Sequence, residues 1–431
     1  MICNNLSINE KGHLVFAGMD TVELAQKYGT PLYLLDETKI REKCRIYKRA
    51  MAHEFGACAL PLYAGKALCV KDIYRIMREE EMGIDVVSSG EVFTAHAAGF
   101  PMGNAYFHGN NKTDRDVAYA MECGVGYFVC DNEEELFAIE REASARGITQ
   151  KILLRLTPGI DPHTHRAIST GRVDSKFGAA IETGQAMALT RVALSQAHID
   201  LCGFHCHIGS QIFETEPFTD AADIMLRFIA SAKAELGYTA KELNLGGGMG
   251  VRYLEEHPVI DYAENIAIIA RKMREVCTSL GIDMPAIRME PGRSIVADAG
   301  LTLYTVGTLK TIPGFRNNVS IDGGMPDNPR YALYQSPYSV VAASRMNDKR
   351  DTVCTVAGRC CESGDLIQEG VPLPKPRRGD ILAVLTTGAY NYAMASNYNR
   401  LPRPAMLMLA DGQERLILRR ETFEDLIRNE L

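Results

Sequence analysis

Ala59-Leu60-Pro61-Leu62-Tyr63-Ala64-Gly65-Lys66 is an apolar run that ends at a glycine and then at a lysine. A run this short, closed by a small residue, has the length of a buried strand, and the lysine marks its C-terminal end. Working outward, the same arrangement recurs. Strands are expected near Ala59 to Ala64, Gly83 to Val87, Asn104 to Phe107, Gly126 to Val129, Lys151 to Leu156, Leu201 to Cys206, Glu242 to Leu245 and Ala286 to Met289. Between them lie amphipathic, helix-like stretches such as Asp131 to Arg146, where Asp131 is expected to cap the first turn and Glu134 to complete a capping box. Eight such alternations predict an α/β fold, a closed (β/α)8 TIM-like barrel over residues 36–290.

Barrels of this kind carry their chemistry at the C-terminal ends of the strands. The polar and glycine residues keep that phase. Lys66 follows the first strand, Ser88 and Ser89 the second and His108 the third, while Arg155 ends the fifth, His207 follows the sixth, Gly246-Gly247-Gly248 the seventh and Glu290 the eighth. Beyond Arg293 the texture becomes β-branched and turn-punctuated, with runs at Leu301 to Thr311, Thr352 to Val356, Ile381 to Leu385 and Ala405 to Leu409. These predict a C-terminal antiparallel β domain over residues 291–431, joined by residues 1–35 with short strands at His13 to Phe16 and Leu32 to Leu35. The Pro-rich piece Pro372 to Pro376 is expected to be a loop.

Composition narrows the function. The 431 residues carry a formal net charge of −7 with both signs interspersed, so no basic stripe is available for a phosphate backbone and no nucleic-acid partner is expected. The opening Met1-Ile2-Cys3-Asn4-Asn5-Leu6 has no cationic segment followed by an apolar run, and no stretch is long and apolar enough to span a bilayer. A cytoplasmic protein with no membrane partner is the expectation. Its twelve cysteines, with no CxxC pair, read as reduced. Cys202, His205, Cys206 and His207 alternate along one strand toward opposite faces, so no metal site is expected there.

Four segments bear chemistry. Lys66 is either a surface lysine or one whose position at the barrel rim suits carbonyl chemistry. Gly246-Gly247-Gly248-Met249-Gly250 is either an ordinary turn or a set of backbone N–H groups that can close on a phosphate; it lacks the Lys-Ser/Thr ending of a Walker motif. Glu290-Pro291-Gly292-Arg293 offers either an ion pair or a carboxylate placed to keep a pyridine nitrogen protonated. In His205-Cys206-His207-Ile208-Gly209-Ser210-Gln211, His207 sits at the strand end, where an imidazole can lie on a cofactor ring, and His205 reads as a satisfied core histidine.

Tyr63-Ala64-Gly65-Lys66-Ala67, Asp174-Ser175-Lys176-Phe177-Gly178, the His205–Gln211 segment, the glycine run, Glu290–Arg293, Cys361-Glu362-Ser363-Gly364-Asp365 and Thr387-Gly388-Ala389-Tyr390 occur in the order seen in fold-type III pyridoxal-phosphate-dependent decarboxylases. The chain resembles the diaminopimelate decarboxylase family in particular, from about Pro31 to the C-terminal region. The resemblance implies pyridoxal 5'-phosphate held covalently by Lys66, with His207 on the ring, Ser210, Gly247, Gly248 and Tyr390 on the phosphate, and Glu290-Pro291-Gly292-Arg293 lining the cofactor. It further implies substrate binding by Arg293, Arg330, Tyr334, Glu362 and Tyr390, proton delivery by Cys361, and a homodimer with shared active sites.

The implied reaction converts meso-2,6-diaminopimelate, a small amino-acid substrate, to L-lysine and carbon dioxide. Its distal head carries a carboxylate and an ammonium, which two arginine forks and Glu362 suit by charge. Ornithine, arginine, lysine or a carboxylated polyamine are the alternative substrates of related decarboxylases. An alanine-racemase-type isomerase would place a cation where Glu290 stands, a metal-dependent hydrolase would carry a His-x-His pair on the first strand, and a cofactor carrier would have no use for Cys361-Glu362.

Overall fold

Strands buried on both faces need parallel neighbours and a cover of helices, and the eight apolar runs meet that need together. The computed structural model describes residues 2–160 and 175–431; Met1 and Asp174 lie outside the described residues. Among the described residues, eight parallel strands form the barrel: Leu60–Ala64, Gly83–Val86, Ala105–Phe107, Tyr127–Cys130, Gln150–Thr157, Ile199–His205, Glu242–Asn244 and Ala286–Met289. The barrel closes where the eighth strand pairs with the first, through Arg288↔Leu60 and Met289↔Pro61. The fourth and fifth pair from Tyr127↔Lys151 to Cys130↔Leu154.

The strand-to-helix connections follow local chemistry. Thr113 forms a capping box with Asp116 at the start of Asp114–Glu122, and Asp261 caps Tyr262–Leu280 by accepting from the N–H groups of Ala263 and Glu264. In the helix Glu133–Arg146 the expected cap is displaced by one residue. Asn132, in an extended conformation, accepts the Glu135 N–H at 3.0 Å, whereas Asp131 turns away to accept the Gly178 N–H at 2.9 Å. Asp131 therefore ties down the segment after the fifth strand, and Glu134 makes no capping box.

The interior of the barrel is packed. Leu62, Tyr106, Val129, Leu153 and Cys202 form one buried cluster. Toward the N-terminal ends of the strands, Glu242 accepts hydrogen bonds from Tyr106 at 2.9 Å, Tyr127 at 3.2 Å and Arg288 at 2.8 Å. Arg288 also donates to the Cys58 carbonyl at 2.6 Å, and the Tyr106 and Tyr127 rings stack 4.3 Å apart. A buried ion pair survives only with its lone pairs and protons satisfied, and here nearly all are.

The chain divides into two compact units. One comprises Lys43–Gly250 and Ile260–Gly292 and contains the barrel; the other comprises Met1–Glu42, Val251–Val259 and Arg293–Leu431. The second unit is built on a sheet in the order Leu366–Leu373, Thr352–Ala357, Arg316–Ile321, Gly300–Ile312, Leu32–Asp36, Ala405–Ala410 and Gln413–Leu418. Ile381–Leu385 pairs with Gly300–Ile312 and with Val340–Ala342. This sheet is mixed, not antiparallel as expected. Leu32–Asp36 runs parallel to Ala405–Ala410, and Arg316–Ile321 parallel to Thr352–Ala357. Both pairs join strands that are distant in the chain, so no hairpin sets their direction.

Pro372 is also a correction, because it lies in Leu366–Leu373 and pairs with Val353. That strand ends the order of the sheet, where a residue without an N–H is tolerated. Leu32, Leu34, Leu301, Leu303, Ala383 and Leu407 are at the centre of the unit's core. No helix among the described residues is long and apolar enough to cross a membrane.

Replacing Arg288 with Met leaves Glu242 buried without its cation. The expected outcome in urea denaturation is a loss of about 3–5 kcal/mol, and the double variant Arg288→Met/Glu242→Leu should recover most of it.

Candidate active site

The C-terminal ends of the barrel strands gather a small number of charged groups. Gly65–Ala67 forms a single 3-10 turn directly after the first strand, and it carries Lys66, whose side chain is 39% exposed. The Lys66 Nζ lies 3.7 Å from Asp85 Oδ2. Asp85 is the third residue of the second strand and fully buried, and neither of its carboxylate oxygens has a hydrogen-bond partner. Burial pushes its pKa up, while His108 and Lys66 pull it back. A methyl group on Gly65 would meet the Tyr74 hydroxyl at 2.5 Å, the Asp85 carbonyl at 3.0 Å and the Glu91 carboxylate at 3.3 Å. Only a glycine lets the lysine turn sit this close to its acids.

Glu290, at the end of the eighth strand, is held from three sides. Asn244 Nδ2 donates to Oε1 at 2.7 Å and His205 Nε2 lies 3.3 Å from Oε2. His108 Nε2 stands 2.9 Å from Oε1, as an ion-pair contact rather than an aligned hydrogen bond. Burial alone would raise the Glu290 pKa, but the two histidines outweigh it and hold the group well below the usual carboxylate range. His205 is lowered to about 3, chiefly by burial, and is neutral at neutral pH. It is thus a neutral donor to a buried anion, and not only the core histidine expected. The His108 and His205 rings meet edge to face at 4.8 Å. The donor atoms of His108, His205 and Glu290 lie within 4.8 Å of one another, a set different from the Cys202–His207 run considered from sequence.

The glycine run lies beside them. Gly246 and Gly248 have positive φ, +69° and +124°. The Gly246 N–H donates to Asn244 Oδ1 at 2.9 Å, and the Gly247 N–H to His207 Nδ1 at 3.3 Å. A Cβ on Gly246 would meet the Cys206 carbonyl at 2.6 Å; on Gly247 it would strike the Glu290 carbonyl, and on Gly248 the Gly209 carbonyl. The sixth, seventh and eighth strand ends therefore converge on bare backbone. His207 is half-buried here, its pKa lowered by burial, then by Lys66 and Arg155. Ser210 is half-buried two residues before Ile212, which bridges to Met249. Pro291 accepts the Ala64 N–H at 3.2 Å, and a Cβ on Gly292 would meet that of Ala64 at 2.9 Å, so this segment backs the Lys66 turn.

Within the second unit, Arg293 and Arg330 are each 5% exposed. The Arg293 guanidinium donates to the Tyr253 hydroxyl at 2.7 Å and stacks 4.6 Å from the Tyr390 ring. That of Arg330 lies 5.7 Å from both the Tyr334 and Tyr390 rings, donates to Ser336 Oγ at 3.0 Å and leaves its Nε without a hydrogen-bond partner. Two buried cations framed by aromatic faces suit a carboxylate ligand. Cys361 and Glu362 stand elsewhere in this unit, on an exposed turn. The Cys361 N–H donates to Asn399 Oδ1 at 2.7 Å, and Glu362 Oε1 accepts the Gly364 N–H at 3.1 Å. Among the described residues neither shares a hydrogen bond or ring contact with the arginines.

The model of the pyridoxal-dependent decarboxylase family, pyridoxal binding domain, matches residues 37–297. The diaminopimelate decarboxylase of Bacillus subtilis is 44% identical over 98% of this chain and 96% of its own length. That of Staphylococcus aureus is 43% identical over 98% of both. The chain belongs to the diaminopimelate decarboxylase family. A crystal structure of diaminopimelate decarboxylase from M. jannaschii in complex with L-lysine superimposes with a TM-score of 0.92 at 34% identity, over 99% of this chain and 98% of that one.

The cofactor of this decarboxylase family is pyridoxal phosphate, and the barrel's residues fit it. The glycine run brings bare backbone, with no side chain, to the strand ends, Lys66 offers an amine 3.7 Å from a buried acid, and Glu290 is an anion beside them. Sequence reasoning missed Asp85, Asn244 and Glu91, and undervalued His205. The available signal for Asp85 was a charge inside the apolar run Gly83-Ile84-Asp85-Val86.

Glu91 lies behind the lysine turn, accepting the Val87 N–H at 2.8 Å, with its pKa raised to about 7 by burial and by Asp85. Its folded pKa exceeds its ordinary value of 4.5, so its contribution to stability is full below 4.5 and is lost as the pH rises through about 7. Glu91→Gln removes that loss. The variant's stability relative to the parent should climb by about 3 kcal/mol across the same window, read by urea denaturation at a series of pH values.

Proposed function

We propose that this chain decarboxylates meso-2,6-diaminopimelate to L-lysine and carbon dioxide, with Lys66, His207, Ser210, Gly247, Gly248 and Glu290 holding pyridoxal phosphate in the barrel. The observation that carries the reading is the buried Glu290 carboxylate, kept ionised by His108, His205 and Asn244 next to a side-chain-free cradle. When bound, the cofactor supplies an electron sink for the pair left behind by carbon dioxide. Glu290, held well below the usual carboxylate range, would supply the anion that favours a protonated ring nitrogen. Lys66 would hold the cofactor through Nζ, with the Asp85 carboxylate 3.7 Å from that amine.

Arg293 and Arg330 are assigned to the substrate's distal carboxylate, with Tyr334 and Tyr390 as the aromatic frame. Cys361 is assigned as the acid that returns a proton to carbon, and Glu362 as the partner of the distal ammonium. Their exposure, apart from the arginines of their own chain, supports a homodimer in which each chain lends these two residues to the other's site. Twelve free cysteines support a reducing, cytoplasmic location.

The test compares meso-diaminopimelate with ornithine, arginine and lysine as substrates, following amine product and carbon dioxide. Lysine should form from meso-diaminopimelate alone, and Lys66→Ala should lower kcat on the order of a thousandfold. Turnover of ornithine instead would defeat the two-arginine assignment. Cys361→Ala should cost about a hundredfold in kcat, and Arg330→Met roughly tenfold to a hundredfold in KM. Mixing Lys66→Ala with Cys361→Ala chains should restore about a quarter of parental activity if the sites are shared, and none if they are not.

A further inference from the structure

Arg359-Cys360-Cys361-Glu362-Ser363-Gly364-Asp365 sets two thiols on neighbouring residues, and the proposed chemistry uses only Cys361. Their surroundings differ. Cys361 is exposed, with its N–H fixed to Asn399 Oδ1 at 2.7 Å. Cys360 is half-buried; its N–H donates to Asp365 Oδ2 at 2.7 Å, and its thiol faces the same carboxylate. Asp365 is itself buried and also accepts the Met325 N–H at 2.6 Å, while the Gly358 N–H donates to its backbone carbonyl at 2.8 Å. The turn that carries both sulfurs is thus pinned on either side.

We propose that Cys360 and Cys361 form a vicinal dithiol site that closes reversibly to a disulfide under hydrogen peroxide and chelates trivalent arsenicals. Adjacent Cα atoms across a trans peptide are about 3.8 Å apart. Ordinary disulfides span roughly 4.4–6.8 Å, so the ring formed here is strained and readily reduced.

The exposed Cys361 reacts first. It gives its proton to solvent, its sulfur attacks one peroxide oxygen, the O–O bond breaks, and the hydroxide released takes a proton back from solvent to leave as water, giving a sulfenic acid. Cys360 sulfur then attacks the Cys361 sulfur. The S–S bond forms as the S–O bond breaks, the Cys360 proton passes by way of Asp365 to the leaving hydroxide, and a second water departs. Two thiols are oxidised and one peroxide is reduced. Burial and then Asp365 push the Cys360 thiol up to about 12, which suits it to this second role and not to the first. With an arsenical oxide, both sulfurs bond to arsenic and the oxide oxygen leaves as water.

The inferred loss of activity rests on Cys361 being the proton donor, whereas the thiol chemistry does not. Cofactor-loaded enzyme is therefore treated with peroxide, mapped by peptide mass, assayed, and assayed again after dithiothreitol; phenylarsine oxide binding is measured in parallel. The peptide bearing Cys360 and Cys361 should be two hydrogens lighter, and activity should be lost and then restored. Cys360→Ser should retain activity, lack the lighter peptide and bind the arsenical on the order of a hundredfold more weakly. An unchanged peptide mass in the parent, or unchanged arsenical affinity in Cys360→Ser, would overturn the site. Disulfide formation with activity intact would uphold the site and defeat the assignment of Cys361.

Discussion

A carboxylate kept ionised away from water is costly unless its charge is answered locally. Glu290 is answered by His108, His205 and Asn244, which come from the ends of three other strands. This single requirement couples the third, sixth, seventh and eighth strands. The Asn244 amide serves twice, since its Nδ2 holds Glu290 while its Oδ1 accepts the first N–H of the glycine loop. Anion and cradle are therefore positioned by one side chain, and the neutrality of His205 allows it to donate without adding charge.

Lys66 has a matching arrangement on the neighbouring first strand, which pairs with the eighth. Asp85 and Glu91 are both buried behind its turn, and both are shifted upward by the absence of water. The two acids are not equivalent. Asp85 lies 3.7 Å from the amine, whereas Glu91 accepts a hydrogen bond from the Val87 backbone N–H, which offsets part of the cost of its burial. Stability at the far end of the barrel comes from a different set, the Glu242–Arg288 pair and its tyrosines, so that chemistry and stability are separated along the strands.

The eight strands were legible because each apolar run stops where a polar residue or glycine starts, and the local phase is sufficient to locate a rim. What the chain could not disclose depended on distant partners. The cap at Asn132 was read one residue early because Asp131 is drawn to Gly178, forty-seven residues away. His205 read as core because its acceptor, Glu290, lies on another strand. The parallel pairs of the second unit escaped for the same reason: strand direction between Leu32–Asp36 and Ala405–Ala410 has no signature in either segment. Lys66, Glu290 and the glycine run were visible in isolation; Asp85 looked like an intruder in an apolar strand, and only proximity to Lys66 gives it meaning.

The glycine loop also constrains what variation this scaffold can explore. At Gly246, Gly247 and Gly248 in succession, a methyl group would collide with backbone carbonyls, which cannot rotate out of the way as a side chain can. Point substitution in that loop is closed as a route to new activity, so its backbone shape is effectively frozen. Variation must be drawn from adjustable side chains, such as Arg330 and Tyr334 proposed above for the substrate, and a directed-evolution library would be better spent there than on the barrel rim.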